Sequence, residues 1–234
     1  MIRTDDARGE ILRAIRESLA KSSPPGPLSA PERGDVVSTP SPEGREGEGV
    51  RTALLARFTD QLTHVGARWT LVRGEAEAAR VLAHVLTDAG AQRVAGSDAP
   101  LVRRLLLALG DRFVTHSVER LSRDELFASD AGVTTAQWGI AETGTLVLES
   151  ARERNRLVSL VPPIHVALLP TTAICDSLGD ALARVREAGP SGSLASRAIT
   201  FITGPSRTSD IELTPVIGVH GPQTVHVLLL QETT

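Results

Sequence analysis

The sequence predicts an α/β protein in which a three-layer mixed sheet has helices on both faces. Up to about residue 115, short apolar strand patterns alternate with amphipathic helix patterns, which is typical of parallel strands joined by helices. After residue 130, strand patterns follow one another with short connections, which favours antiparallel pairing. Hydrophobic residues make up 41% of the 234 residues and charged residues 23%, so the chain can bury a core.

The first 49 residues differ in amino-acid composition from the rest of the chain. An N-terminal helix is predicted over residues 1–21, and it ends before Pro24 because a run of prolines and glycine cannot continue a helix. Its apolar stripe would dock on its own domain or on a neighbour. Residues 22–49 are rich in Pro, Gly, Ser and Glu and predict a linker. The α/β domain is therefore expected to span residues 50–234.

Within this domain, helix patterns fall at residues 54–62, 75–89, 101–109 and 178–188. Pro100 stands where the first turn of a helix tolerates proline. Runs of apolar and β-branched residues predict strands at residues 69–72, 93–95, 112–115, 133–138, 145–149, 157–160, 165–169, 199–203 and 224–230.

Composition excludes several classes of function. The net charge is −3 and aromatic residues are only 3%, so the basic footprint and stacking platforms of a nucleic-acid binder are missing. No apolar run reaches the roughly 20 residues of a membrane span, and no signal-peptide pattern opens the chain. A cytoplasmic location is the resulting expectation.

The single cysteine and the single lysine limit the cofactor chemistry. Cys175 alone cannot form an intramolecular disulfide, and this chain alone cannot supply four thiolates to zinc or an iron–sulfur cluster. Lys21 lies in the N-terminal arm, which excludes a Schiff-base lysine within the domain. We therefore expect no cofactor to be bound by this chain alone, although it could bind an unknown small ligand.

The turn at residues 139–145 is the first candidate site. Glu142 lies in a glycine-bounded turn, where Thr143, Gly144 and Thr145 could hold an anionic group or fix the carboxylate. Glu142 is predicted to be catalytic, as a nucleophile or a general base. The alternative is structural: the carboxylate accepts backbone hydrogen bonds and stabilises its own turn.

Two further glycine-bounded loops follow later strands. In residues 203–212, Gly204, Ser206, Arg207 and Thr208 have the character of an anion-binding loop, with Arg207 clamping a carboxylate or phosphate. Arg207 could instead pair with the acidic residues at 210 and 212. In residues 218–222, His220 is a candidate acid or base, or simply a turn residue.

These three loops suggest one pocket, and no metal site is predicted there because the histidines lack a recognised zinc spacing. His165 and His226 fall inside strand patterns, where a satisfied or surface histidine is the default. The mixed-sign segment 152–156 is interpreted as solvated surface, in which Arg156 could rim a site or a partner interface.

Four segments occur in an order that resembles a known family. Residues 139–145, 161–170, 202–212 and 218–222 together resemble the lactate utilization protein C family, the LUD domain. The resemblance implies a fold similar to the sugar-isomerase and coenzyme A transferase superfamily. It also implies a role in oxidising L-lactate to pyruvate beside companion proteins similar to iron–sulfur oxidoreductases, which would carry the electrons.

Two other functions stay open at this point. A free-standing acyl or coenzyme A transferase-like enzyme, or a sugar-phosphate isomerase-like enzyme, would use Glu142 as nucleophile or base. A binding or assembly module would retain only a vestigial pocket. The sequence does not decide whether the chain itself is an enzyme.

Overall fold

The computed structural model describes residues 45–153, 155–188, 196–209, 215–218 and 220–231. The predicted N-terminal helix and residues 22–44 of the predicted linker lie outside these ranges. Helix α1 begins at Arg45, whereas the linker was predicted to continue to residue 49. Residues 45–49 are therefore helical.

The strands are β1 Arg68–Arg73, β2 Arg93–Gly96, β3 Val114–Ser117, β4 Ala131–Thr135, β5 Trp138–Ile140, β6 Thr145–Glu149, β7 Ile164–Pro170, β8 Ile174–Cys175, β9 Ile199–Ile202, β10 Arg207–Ser209, β11 Pro215–Ile217 and β12 Thr224–Gln231. The helices are α1 Arg45–His64, α2 Gly74–Asp88, α3 Pro100–Ala108, α4 Arg123–Phe127, α5 Leu157–Leu160 and α6 Leu178–Glu187. No helix in the described ranges is both long enough and apolar enough to span a bilayer.

The central layer is a six-stranded sheet in the order β1-β12-β7-β4-β2-β3, and every pairing in it is parallel. Helices α2 and α3 cover one face, where Leu82 and Val102 join the core. Helix α1 and a second sheet cover the other face, where Phe58, Leu146 and Leu229 share a core. The α/β class and the three layers are thereby confirmed.

The second sheet has four strands in the order β8-β5-β6-β9. Strand β6 is antiparallel to β5, as the short connection between them predicted, and it is also antiparallel to the distant β9, while β8 runs parallel to β5. Strands β7 and β12 do not join this hairpin sheet. Their nearly continuous apolar sequences suit central parallel strands buried on both faces. The prediction of one mixed sheet thus combined strands that belong to two separate sheets in the structure.

The predicted strand 133–138 is divided between the two sheets. The backbone N–H of Ala136 donates to Leu168 O at 2.8 Å in the first sheet, and that of Gln137 donates to Val147 O at 2.9 Å in the second. The chain crosses from one layer to the other between these two residues. The predicted third strand begins at Val114, because residues 110–112 form a 3-10 turn.

The predicted strand 157–160 was wrong: these residues form the short helix α5, which packs on β4. A Cβ atom on Gly132 would lie only 1.9 Å from the carbonyl oxygen of Val158, so glycine is what lets the two backbones approach. The apolar run 157–160 does not by itself distinguish a buried helical turn from a strand.

Candidate functional site

The Glu142 turn joins β5 to β6 and packs against the end of α1. Gly144 has φ +65°, and a Cβ there would lie 2.7 Å from the carbonyl carbon of Gln61 and the nitrogen of Leu62. Glycine is thus required both by the backbone conformation and by the contact. The Glu142 side chain is exposed, and its backbone N–H donates to Asp176 O at 3.0 Å.

Three threonine hydroxyls connect this turn to the loop that follows β9. Thr143 Oγ1 lies 2.6 Å from Thr145 Oγ1, which lies 2.8 Å from Thr203 Oγ1. Thr145 is buried, and its neighbour Leu146 pairs with Ile202 across the sheet. The first two predicted loops therefore do lie side by side, and the threonines bond to one another.

The loop after β9 also packs on the end of α1. Gly204 has φ +76°, and a Cβ there would lie 2.5 Å from Val65 O. Arg207 is exposed and its Nη2 donates to the same carbonyl oxygen at 2.7 Å. This guanidinium caps an otherwise open carbonyl beyond the helix end. Residues 210 and 212, its predicted competitors, lie outside the described ranges.

The third predicted loop is hydrogen-bonded to the second. The Ser206 N–H donates to Pro222 O at 2.9 Å, and the Gly218 N–H donates to Ser206 O at 2.9 Å. His220 is exposed, and Thr208 lies in β10. The structure thus places the three loops next to one another, with packing reasons for two of their glycines. Catalysis by Glu142 and His220, and anion binding around Arg207, stay predictions.

A cavity of about 320 Å³ lies in another part of the molecule and is called the sheet-end cavity below. Its lining residues come from β4, from β6 and the residue after it, from β9 and the two residues before it, and from the segment that precedes and enters α5: Thr134, Leu148, Ser150, Glu153, Asn155, Arg156, Ser159, Arg197, Ala198 and Thr200. This volume is within the range of small-ligand sites.

The sheet-end cavity lies near the carboxyl ends of neighbouring strands from which the chain leaves in opposite directions. Strands β2 and β4 pair in parallel, and the chain goes from β2 to β3 on one side and from β4 towards β7 on the other. Ser97, just after β2, donates its N–H to Val133 O at 2.9 Å. Open parallel sheets bind ligands at such a reversal of strand order.

Glu153 is the most unusual group in the cavity wall because it is an acidic side chain only 2% exposed. Its Oε1 accepts hydrogen bonds from the N–H of Thr135, at 2.7 Å, and from the Thr135 hydroxyl. Its Oε2 is buried and has no hydrogen-bond partner among the described residues. Burial raises the pKa of Glu153, the contacts with Thr135 and Ser97 oppose that rise, and the charge of Asp98 adds to it.

His165 lies behind this wall, on β7. The side chain is fully buried, and its Nε2 lies 2.8 Å from the hydroxyl of Thr134, a residue that lines the cavity. Its Nδ1 has no hydrogen-bond partner within the described ranges. Burial lowers the pKa of His165 to about 4, so the ring is neutral at neutral pH.

Arg156 and Arg197 supply the cavity with positive charge. Both arginines line the sheet-end cavity and are exposed to solvent. Neither forms an ion pair within the described part of the chain. The cavity therefore contains a buried carboxyl group with one oxygen that has no hydrogen-bond partner, and two guanidinium groups that form no ion pair, within the described residues. Such an arrangement can bind the negative group of a small molecule and hydrogen-bond a neighbouring oxygen.

A second cavity, of about 350 Å³, shows what a satisfied carboxylate looks like in this fold. It is lined in part by Glu149 on β6, which is 3% exposed. Trp138 Nε1 donates to Glu149 Oε1 at 3.1 Å, and the Ser196 hydroxyl donates to Oε2 at 3.0 Å. Both carboxylate oxygens of Glu149 accept hydrogen bonds from neighbouring side chains, which indicates a structural role. Glu153 differs because only its Oε1 is hydrogen-bonded among the described residues.

Within the described residues, no three His, Cys, Asp or Glu side chains are grouped so that they could hold a metal ion. Cys175 is buried, its Sγ donates to Gly139 O at 3.2 Å, and burial raises its thiol pKa. The thiol is thus held in its protonated form, as expected for a packed cysteine rather than a nucleophile.

Little in the amino-acid sequence indicated the sheet-end cavity. Arg156 was considered as a rim residue, but Glu153 was grouped with its neighbours as solvated surface. The mixture of charged side chains in segment 152–156 does not indicate which of them is buried. The feature that buries Glu153, its two bonds to Thr135 at the end of β4, depends on tertiary folding.

Comparison with known proteins places this architecture in a family. The model of the LUD domain matches residues 55–230. The "Lactate utilization protein C" of Deinococcus radiodurans is 30% identical over 233 residues, covering 97% of each chain. The Bacillus licheniformis protein of the same name is 33% identical over 114 residues, or 49% of this chain. That match covers 47% of the relative, so the chain spans about half the length of that protein.

A solved structure agrees with these matches. The crystal structure of a DUF162 family protein from Deinococcus radiodurans superposes with a TM-score of 0.56 and 25% identity, covering 77% of this chain and 98% of the other. The resemblance found in the ordered loop motifs is confirmed by these findings. The chain belongs to the LUD domain family.

Proposed function

We propose that this protein is a cytoplasmic component of a system that oxidises L-lactate to pyruvate. The observation that supports the proposal best is the match over 97% of both chains to a relative named lactate utilization protein C. Several other relatives with the same name match about half of the chain at similar identity.

Iron–sulfur partner proteins are part of the proposal because of electron balance. Conversion of L-lactate to pyruvate removes two electrons and two protons, and an acceptor must take up the electrons. This chain has one cysteine, which is buried and cannot by itself hold a cluster. We assign the electron acceptors, clusters or flavin, to companion proteins, and we assign substrate or partner binding to this chain.

Deletion and complementation test the pathway assignment. In a strain without a redundant lactate dehydrogenase, deletion of the gene should abolish growth on L-lactate and leave growth on pyruvate normal. Expression of the full chain should restore growth. Undiminished growth of the deletion strain on L-lactate would contradict the proposed function.

Affinity purification tests the partner assignment. The tagged full chain, isolated under anaerobic conditions from cells growing on L-lactate, should carry iron and acid-labile sulfide in stoichiometric amounts through a sizing column. The same chain produced alone should carry neither. A preparation from lactate-grown cells that elutes as the chain alone, without iron, would contradict a stable complex with iron–sulfur proteins.

A further inference from the structure

Within the described residues, Glu153 forms hydrogen bonds through one carboxyl oxygen only, and the Ser97 side chain is a further polar neighbour of the group. Its Oε1 is held by the backbone and hydroxyl of Thr135, so the carboxyl group is fixed at the end of β4. Its Oε2 is buried without a partner within the described ranges and belongs to a residue that lines the sheet-end cavity. A buried polar atom without a hydrogen-bond partner is energetically unfavourable, and a ligand that bonds to it relieves this cost.

The same cavity contains the complementary charges for an anion. Arg156 and Arg197 form no ion pair with described residues, although acidic side chains elsewhere on the surface hold other arginines, as Glu75 holds Arg104 at 2.7 Å. A guanidinium group presents paired donors that match the two oxygens of a carboxylate. Asn155 and Ser150 also line the cavity and each accepts a backbone hydrogen bond, while the Ser159 hydroxyl donates to Arg156 O.

We propose that the sheet-end cavity binds a small organic anion with a hydroxyl or carbonyl oxygen beside its anionic group. Arg156 and Arg197 bind the anionic group, and Glu153 Oε2 hydrogen-bonds the adjacent oxygen. The cavity assignment is independent of the pathway, but the choice of L-lactate and pyruvate as ligands rests on the proposed function.

The direction of the pKa shift at Glu153 suits this role. Burial, and to a smaller extent the charge of Asp98, raises the pKa of Glu153 against the opposing hydrogen bonds of Thr135 and Ser97, so the neutral form is more populated than for an exposed glutamate. A neutral carboxyl group can donate a hydrogen bond from Oε2 and does not repel an anion. Glu142, by contrast, is exposed to solvent at the turn between β5 and β6.

Isothermal titration of the full chain with L-lactate, pyruvate and inorganic phosphate tests the site. Saturable binding of L-lactate or pyruvate is expected, and Arg156→Gln and Arg197→Gln should each raise Kd by about tenfold or more. Arg80→Gln, an exposed arginine on α2, is the matched control and should leave Kd unchanged. The melting temperature of each variant verifies that it is folded.

Three outcomes of this titration would overturn the assignment. The first is the absence of saturable binding of L-lactate and pyruvate. The second is binding that survives both arginine changes but is lost in Arg207→Gln, which would move the site to the loop after β9. The third is a lower Kd for phosphate than for either organic anion, which would change the ligand class.

Glu153 is tested through the hydroxyl group of the ligand. Propionate has the carbon skeleton of L-lactate without the hydroxyl, so the wild-type chain should bind L-lactate more tightly by about tenfold. Glu153→Gln keeps a donor and should keep this preference, whereas Glu153→Met removes the donor at similar length and should abolish it. An equal preference in wild type and Glu153→Met would exclude Glu153 from the contact.

Growth of complemented strains separates the two proposals. If Arg156→Gln loses binding yet supports normal growth on L-lactate, the pathway role stands and the site is not needed for it, so the proposed ligand role fails. If binding follows the predicted pattern but the deletion strain grows normally on L-lactate, the cavity assignment stands and the proposed function fails.

Discussion

The loops around Glu142 and the sheet-end cavity around Glu153 place acidic residues in opposite environments. Glu142 is exposed in a turn whose glycine is required by contact with α1. Glu153 is buried, only one of its carboxyl oxygens is hydrogen-bonded within the described part of the chain, and it lines a cavity together with two arginines. The glycines at 144 and 204 therefore allow close packing on the end of α1, while the buried carboxyl group, with an oxygen unpartnered among the described residues, lies in a charged segment without a recognised motif.

The largest effect should come from Gly144→Ala. Both the left-handed conformation and the 2.7 Å approach to α1 oppose a side chain, so unfolding free energy should fall by roughly 2–5 kcal/mol. Gly90→Ala is the control, because Gly90 has φ +68° and open space around it, so its cost should be about 1–2 kcal/mol. Chemical denaturation measures both, and equal losses would show that the contact with α1 contributes nothing.

His165, behind the wall of the sheet-end cavity, should make the protein sensitive to acid. His165 has a folded-state pKa of about 4 and an unfolded value near 6.5, so the unfolded chain binds more protons between these limits. Its contribution to stability is complete above pH 6.5 and decreases by roughly 3 kcal/mol as pH falls to 4.

Denaturation curves at several pH values, compared with those of His165→Gln, measure this contribution. The variant should have a flatter dependence of unfolding free energy on pH between 6.5 and 4. His226 also has a pKa lowered to about 4, by burial and the charge of Arg68, so some slope should persist in the variant. His64→Gln, on the exposed end of α1, is the control. A slope in His165→Gln as steep as in wild type would contradict the buried neutral imidazole.

A smaller effect is expected from Arg207→Gln. Loss of the hydrogen bond to Val65 O should lower the unfolding free energy by about 1 kcal/mol, since the guanidinium secures the end of α1. Arg80→Gln should change it by less than about 0.5 kcal/mol. Thermal denaturation of the pair decides between a structural arginine and one kept free for an anion, because the latter would leave stability unchanged.

The smallest effect should come from Glu142→Gln. The side chain is exposed and the turn is fixed by backbone bonds and by Gly144, so stability should change by less than about 0.5 kcal/mol. Growth on L-lactate should be unaffected. A folded Glu142→Gln protein that fails to support growth would instead favour the transferase-like or isomerase-like enzyme and make the exposed carboxylate the reacting group.

Much of the fold could be predicted because its signals are local. Apolar runs predicted the ends of β1, β2, β6, β7, β9 and β12 to within one residue. The division into two sheets could not be predicted, because the crossing at residues 136–137 is set by which partner each backbone N–H finds. The helical turn 157–160 depends on Gly132, which is distant in sequence.

The candidate site could be predicted only in part. The adjacency of the three loops was expected from their positions at strand ends, and the structure brings them together. The burial of Glu153 was not expected, because a charged side chain between arginines has the pattern of a solvated face. Only the closure of the loop after β6 onto Thr135 reveals it.

The pairing of β1 with β12 has a consequence for synthesis on the ribosome. Among the described strands, β1 has β12 as its only neighbour, and Arg68 pairs with His226. A nascent chain therefore holds an unpaired, aggregation-prone edge until β12 has emerged from the exit tunnel. Chaperone capture during translation should thus persist until β12 is released, and stop codons placed before Thr224 should yield insoluble fragments.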